Sequence, residues 1–148
     1  VVLDRYPNMK VDVKKPQKEL RVEVRDECYL YTSPVEGPGG LPVGTAGKGL
    51  LLLSGGIDSP VAGWRMAKRG LKQDCLYFHA YPYTSDQALQ KVKDLAQIIA
   101  PYNQGTTLIV VNFTECELWI KDHSKEEEHT LMMRACMMKV ANMIAKKA

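Results

Sequence analysis

Hydrophobic and polar positions change their period along the chain, and the changes divide it. Leu20-Arg21-Val22-Glu23-Val24-Arg25 alternates apolar and charged residues, the period-two mark of a half-buried strand. Asp26-Glu27 turns the chain, and Cys28-Tyr29-Leu30-Tyr31-Thr32 returns as its hairpin partner. Residues 1–34 therefore read as β-rich. From Pro34 to Gly49 the alternation stops, and six glycines and three prolines follow. That stretch predicts a connector without regular structure, semi-rigid because of its prolines, at a domain boundary.

From Leu50 onward apolar runs alternate with longer amphipathic patterns. Leu50–Leu53 reads as a buried strand, Val61–Arg69 as a helix ended by Gly70, and Asp74–His79 as a second strand. Ser85–Ala100 is an amphipathic helix with Ala88, Val92, Leu95, Ala96, Ile98 and Ile99 on its inner face, a cap at Thr84 or Ser85, and Pro101 past its end. Thr107–Phe113 is a third strand, and the last helical pattern runs from about Glu126 to Lys147. Such alternation predicts an α/β unit, a parallel sheet with flanking helices. Ligands of these sheets lie beyond the C-terminal strand ends. The Ser54 loop, Phe78–Tyr83 and the Phe113–Thr114 turn should therefore surround one crevice.

The loop between the first strand and helix of that unit is Ser54-Gly55-Gly56-Ile57-Asp58-Ser59, followed by Pro60. Proline is tolerated in a first helical turn, where N–H groups have no intrahelical partner. Glycines there let main-chain amides approach phosphate oxygens beside the positive end of a helix dipole. Ser54 and Ser59 add hydroxyl donors. Asp58 is a poor direct neighbour for phosphate and makes sense as a magnesium ligand or as a group behind one. Neither a Walker A loop nor G-x-G-x-x-G is present; Gly47-Lys48-Gly49 lacks the spacing and the Ser/Thr. An ordinary strand–turn–helix junction is the plain alternative.

Composition narrows this picture modestly. With 148 residues, 45% hydrophobic and 25% charged, the chain is long enough for one typical domain. A net charge of +3 permits RNA binding without arguing for it. The cations of residues 10–25 are interleaved with acids, which favours a solvated surface over a basic patch. Cys28, Cys75, Cys116 and Cys136 form no C-x-x-C pair, so they read as reduced, partly buried thiols of a cytoplasmic protein. No membrane-length apolar run or signal-peptide pattern occurs. The start at Val1-Val2-Leu3 and the end inside a helical pattern suggest a piece of a longer protein. The methionines at 132, 133, 137, 138 and 143 recur at helical spacing and, with Trp64 and Trp119, are expected to pack the core. His79, at a strand end, is a candidate for acid–base work, although a lone histidine is more often structural.

Ser54–Ser59 after its strand resembles the PP-loop of the ATP-pyrophosphatase superfamily. Three further segments make the resemblance more specific: Glu36–Gly44 of the connector, Tyr77-Phe78-His79 with Tyr83-Thr84-Ser85, and Met133-Arg134-Ala135-Cys136-Met137-Met138-Lys139. Together they are similar to the tRNA 4-thiouridine synthetase (tRNA sulfurtransferase, ThiI) family, which is also tied to thiamine thiazole synthesis. The resemblance implies an adenine nucleotide α-hydrolase-like unit over 50–148, a linker over 35–49, and the C-terminal part of an RNA-binding THUMP domain over 1–34. It implies ATP and Mg2+ as cofactors. ATP would adenylate O4 of a tRNA uridine, and persulfide sulfur would then displace AMP.

By motif, Leu52, Leu53, Ser54, Gly55, Gly56, Asp58, Ser59, Tyr77, Phe78 and Arg134 would bind the nucleotide, with Asp58 catalytic. Tyr77 and Phe78 would flank the adenine, where the family more often has His-Phe. Arg134 is otherwise an ordinary helix-surface charge. Implied partners are tRNA, a cysteine desulfurase-type persulfide donor, a sulfur carrier of thiamine synthesis, and in a homodimer a second copy; no membrane is involved. The family's Gly-Gln-Ser-rich motif, phosphate-proximal lysine and reactive cysteine would lie beyond Ala148, and none of the four cysteines matches the last. Competing readings are another PP-loop adenylating enzyme (an amide ligase or a tRNA cytidine modifier) and a non-catalytic RNA- or nucleotide-binding module.

Overall fold

The computed structural model describes residues 2–147. The chain divides between Pro38 and Gly39 into two units. In the first, a one-turn helix α1 (Val2–Arg5) precedes strands β1 (Arg21–Val24) and β2 (Cys28–Tyr31). These strands pair antiparallel with Val22 opposite Leu30. The alternation at Leu20–Arg25 thus forms a hairpin, but not a half-buried one: Val24 and Leu30 remain 73% and 66% exposed. Two four-residue strands bury little unless another layer covers them. Arg21 pairs with Glu19 at 3.2 Å and Arg25 pairs with Glu23, so the interleaved charges form local, solvated ion pairs.

In the second unit the apolar runs become a three-stranded parallel sheet in the order β3 (Lys48–Leu52), β4 (Lys72–His79), β5 (Leu108–Asn112). Helix α2 (Asp58–Lys68) links the first pair and α3 (Asp86–Ile99) the second. The register lines up Leu51, Cys75 and Leu108 in one row across the sheet. Side chains alternate across a strand, so Leu51, Leu53, Cys75 and Tyr77 share one face. They form the core with Val92, Ala96 and Ile99 of α3. Fully burying a side chain such as Val92 contributes about 1.5–3 kcal/mol. Ile98, expected on this inner face, is 64% exposed, because its position falls outside the arc shared by 92, 96 and 99.

Helix α2 approaches the sheet closely at Gly63, where an added Cβ would come within 2.6 Å of Leu51 Cδ2. Leu76 and Phe78 alternate to the opposite face, and Phe78 packs edge-on to Phe113 with ring centroids 5.1 Å apart. On that C-terminal part of the chain two helices replace the single one expected: α4 (Thr114–His123) and α5 (Glu126–Ala145). Each is anchored by one fully inward residue, Ile120 and Ala141.

The methionine pattern of α5 is not core packing. Met138 and Met143 are 58% and 62% exposed, since α5 rests on β3 and α4 along one narrow line. Trp119 is likewise a surface residue, stacked on His123 at 4.4 Å, while Trp64 lies under the Lys68 ammonium. Cys28 is exposed rather than partly buried.

The second half of the Gly/Pro stretch is not irregular. Leu41 N–H donates to Lys68 C=O at 2.9 Å, and Gly44 and Ala46 N–H both donate to Gly70 C=O at 2.7 and 3.0 Å. A parallel bridge joins Leu41 to Arg69. The segment is fastened along the C-terminal end of α2, and β3 starts at Lys48, two residues before the leucine run. Gly40 and Gly70 make this possible, with φ of +107° and +88°; a Cβ would meet Lys68 O at 2.2 Å and Thr45 Oγ1 at 2.3 Å respectively.

Candidate phosphate-binding site

Strand β3 delivers Leu52 and Leu53 to its C-terminal end. Leu53 N–H still donates to Leu76 C=O at 2.9 Å, and its side chain is buried. The chain then leaves the sheet as Ser54–Ile57. Two hydroxyls hold this loop: Ser54 N–H donates to Ser59 Oγ at 2.9 Å, the two serine Oγ atoms lie 3.1 Å apart, and Gly56 N–H reaches Ser54 Oγ at 3.4 Å. Ile57 occupies the cap position of α2 without any side-chain cap. The first-turn N–H groups are therefore unsatisfied by the helix and add to the positive dipole end.

Neither Gly55 nor Gly56 has a positive φ, so glycine supplies clearance here rather than backbone freedom. A Cβ on Gly56 would meet only Ser54 Oγ at 3.5 Å, and one on Gly55 only Lys91 Cδ at 3.7 Å. The outer side of the loop is open to a ligand. Asp58, the first residue of α2, is exposed, and its carboxylate makes no hydrogen bond among the described residues.

The neighbouring strand ends meet as the topology predicts. His79 C=O accepts from Phe113 N–H at 2.7 Å, and Thr114 Oγ1 donates to Tyr81 C=O at 2.9 Å. Thr84 Oγ1 lies 2.9 Å from His79 Nδ1 and accepts from Ala80 N–H, so His79 braces the 80–84 turn, which contains a cis Tyr81–Pro82 bond. Tyr77 and Phe78 lie on opposite faces of β4. The former is buried with Val92 and Ala96, the latter against Phe113. Arg134 is exposed on α5, the helix that packs on β3 and α4. The structure thus gathers Ser54, Gly55, Gly56, Asp58 and Ser59 into one loop, with Leu52 and Leu53 leading into it and Tyr77 and Phe78 ending the next strand.

A polar depression of about 360 Å³ lies elsewhere, at the N-terminal strand ends, lined by Lys48, Lys72, Asp74 and Thr106 among others. It is at the wrong end of the sheet for the Ser54 loop. Burial pushes the Cys75 thiol above its ordinary range, against a smaller lowering by Thr106. Burial and the neighbouring Cys136 thiol do the same for Cys116. Raised thiols are poor nucleophiles. No group of three or more potential metal-ligating side chains occurs among the described residues, and none of their helices is long and apolar enough to cross a membrane.

The chain as a whole is similar to known proteins. The family model described as thiamine biosynthesis protein (ThiI) matches residues 44–148. This chain belongs to the ThiI family. A probable tRNA sulfurtransferase from Lachnoclostridium phytofermentans is 53% identical over 147 residues, 99% of this chain and 38% of that protein. Another, from Caldanaerobacter subterraneus subsp. tengcongensis, is 49% identical over 146 residues with the same coverage. A crystal structure of a 4-thiouridine synthetase–RNA complex with bound ATP matches with a TM-score of 0.80 and 41% identity, covering 99% of this ThiI-family chain and 39% of that one. The chain spans about 38% of the length of the curated relatives it matches.

Proposed function

We propose that this ThiI-family chain forms the phosphate-binding part of an ATP-dependent tRNA sulfurtransferase. The observation that carries the reading is the β3–α2 loop: two clearance glycines, two serine hydroxyls and an uncapped helix start in one place. The pyrophosphate end of ATP lies against the loop N–H groups, and Ser54 and Ser59 exchange their mutual contact for phosphate oxygens. The main chain at the strand ends, Leu52–Leu53 and Tyr77–Phe78, borders the nucleoside, and Arg134 reaches it from α5. The uridine O4 attacks the α-phosphorus, pyrophosphate leaves, and an adenylated base remains. Persulfide sulfur then attacks C4, AMP leaves with the former O4, and a second thiolate cleaves the S–S bond of the resulting mixed disulfide, releasing the 4-thio base and leaving a disulfide on the donor side.

Mg2+ fits this site in one respect: Asp58 offers a single free carboxylate beside an open phosphate cradle, and Mg2+ commonly takes one or two carboxylates plus phosphate oxygens. When bound, it would neutralise phosphate charge. A tRNA substrate, a cysteine desulfurase-type sulfur donor and a link to thiazole synthesis belong to the same reading, as does a THUMP role for residues 1–34. It is supported by the relatives named above and by the RNA complex.

The test supplies ATP labelled at the α-phosphate, bulk tRNA and magnesium to the longest expressed form of the protein. AMP and pyrophosphate should appear only with tRNA, and Asp58→Ala should abolish them while RNA affinity persists. ADP, or turnover indifferent to tRNA, would overturn the reading.

A further inference from the structure

The Ser54–Ser59 loop contains no cation of its own, yet a nucleotide triphosphate end brings several negative charges. We infer that Lys91 of α3 brings a positive charge to this loop and binds the β- and γ-phosphates. This rests on the nucleotide reading of the loop. Ser85 caps α3, its side chain accepting from Ala88 N–H at 3.2 Å, and the helix is pinned to the sheet by buried Val92 beside Lys91. The lysine stem consequently has a fixed origin. It crosses to the loop, with Cδ 3.7 Å from where a Cβ of Gly55 would stand.

No other heavy atom outside the adjoining residues comes within 4 Å of that point. Gly55 leaves room for the lysine as well as for a ligand. The ammonium, separated from Cδ by the single Cε methylene, has no hydrogen-bond or ion-pair partner among the described residues. An ammonium is a compact point charge with three donors on a flexible stem, suited to phosphate oxygens that shift during pyrophosphate departure.

Calorimetric titration with ATP, pyrophosphate and AMP separates the possibilities for the wild type, Lys91→Ala, Lys91→Arg and Lys93→Ala. Losing a charge-assisted contact should weaken ATP and pyrophosphate binding by about tenfold or more. AMP, which lacks the β- and γ-phosphates, should bind Lys91→Ala as it binds the wild type. Lys91→Arg should recover most of the affinity, and Lys93→Ala, on the same helix, should change nothing. Unchanged ATP affinity in Lys91→Ala, or equal weakening of ATP and AMP, overturns the role of Lys91 and leaves the loop reading standing. A wild-type protein that binds neither ATP nor pyrophosphate overturns both.

Discussion

Glycine does two different jobs in this chain, and the distinction is visible only residue by residue. At 55 and 56 it provides clearance with ordinary φ, so the cost of a side chain there falls on a ligand. At 40 and 70 it provides a left-handed backbone and close approach, so the cost falls on the fold. Gly70→Ala should therefore destabilise the protein by about 1–3 kcal/mol, the cost of a strained left-handed residue, more if Thr45 cannot yield; urea unfolding measures it. Cys75 gives a prediction on pH. Burial raises its folded-state thiol above the unfolded value, so the native state holds that proton more tightly. Its contribution is complete below the unfolded thiol's titration and is lost as pH rises through the folded one. Urea midpoints should fall on the alkaline side, and Cys75→Ala should flatten that limb.

At the level of elements, what could be read in advance followed from period and from special residues. The Leu50–Leu53 run, the Ser54–Ser59 loop and the Val92–Ala96–Ile99 face announce themselves because a sheet and an amphipathic helix each impose a repeat. Helix α4 did not, since Glu115, Glu117, Lys121 and Asp122 surround one buried Ile120 and leave almost no repeat to see. Met138 and the β1–β2 hairpin are exposed against expectation for a related reason: apolar spacing reports a face, not whether anything covers it.

Another hidden feature is the polar stitch at the start of β4. Asn103, in the 3-10 turn Ala100–Asn103, accepts from Gln73 N–H at 2.9 Å and donates to Gln73 C=O. Gln73 Nε2 in turn donates to Gly63 C=O at 2.8 Å. Both side chains are buried, so Asn103 takes the place of a strand residue, with no sequence signal for it. Asn103→Ala should cost about 1–3 kcal/mol by leaving buried main-chain groups short of a partner. Asn103→Asp should cost at least as much, because an oxygen then faces the Gln73 carbonyl; thermal unfolding would rank them.

Across the whole molecule, burial is uneven in a way that hydrogen exchange can read. Strand β4 is bonded on both sides and contains Cys75 and Leu76 at 1% and 0% exposure, whereas β1 and β2 have only each other. Amides of Cys75–Tyr77 should exchange last and those of Val22–Val24 among the first; equal protection would contradict the division at Pro38. The fastening of Leu41–Gly47 onto α2 has a consequence for splicing at that border. The α/β unit hems its own upstream border with main-chain hydrogen bonds, using Gly40 and Gly70. A border sealed in this manner behaves like a socket. A splice at residue 38 should therefore leave the sheet and its loop in register; loss of the cooperative unfolding transition in such a spliced protein would show otherwise.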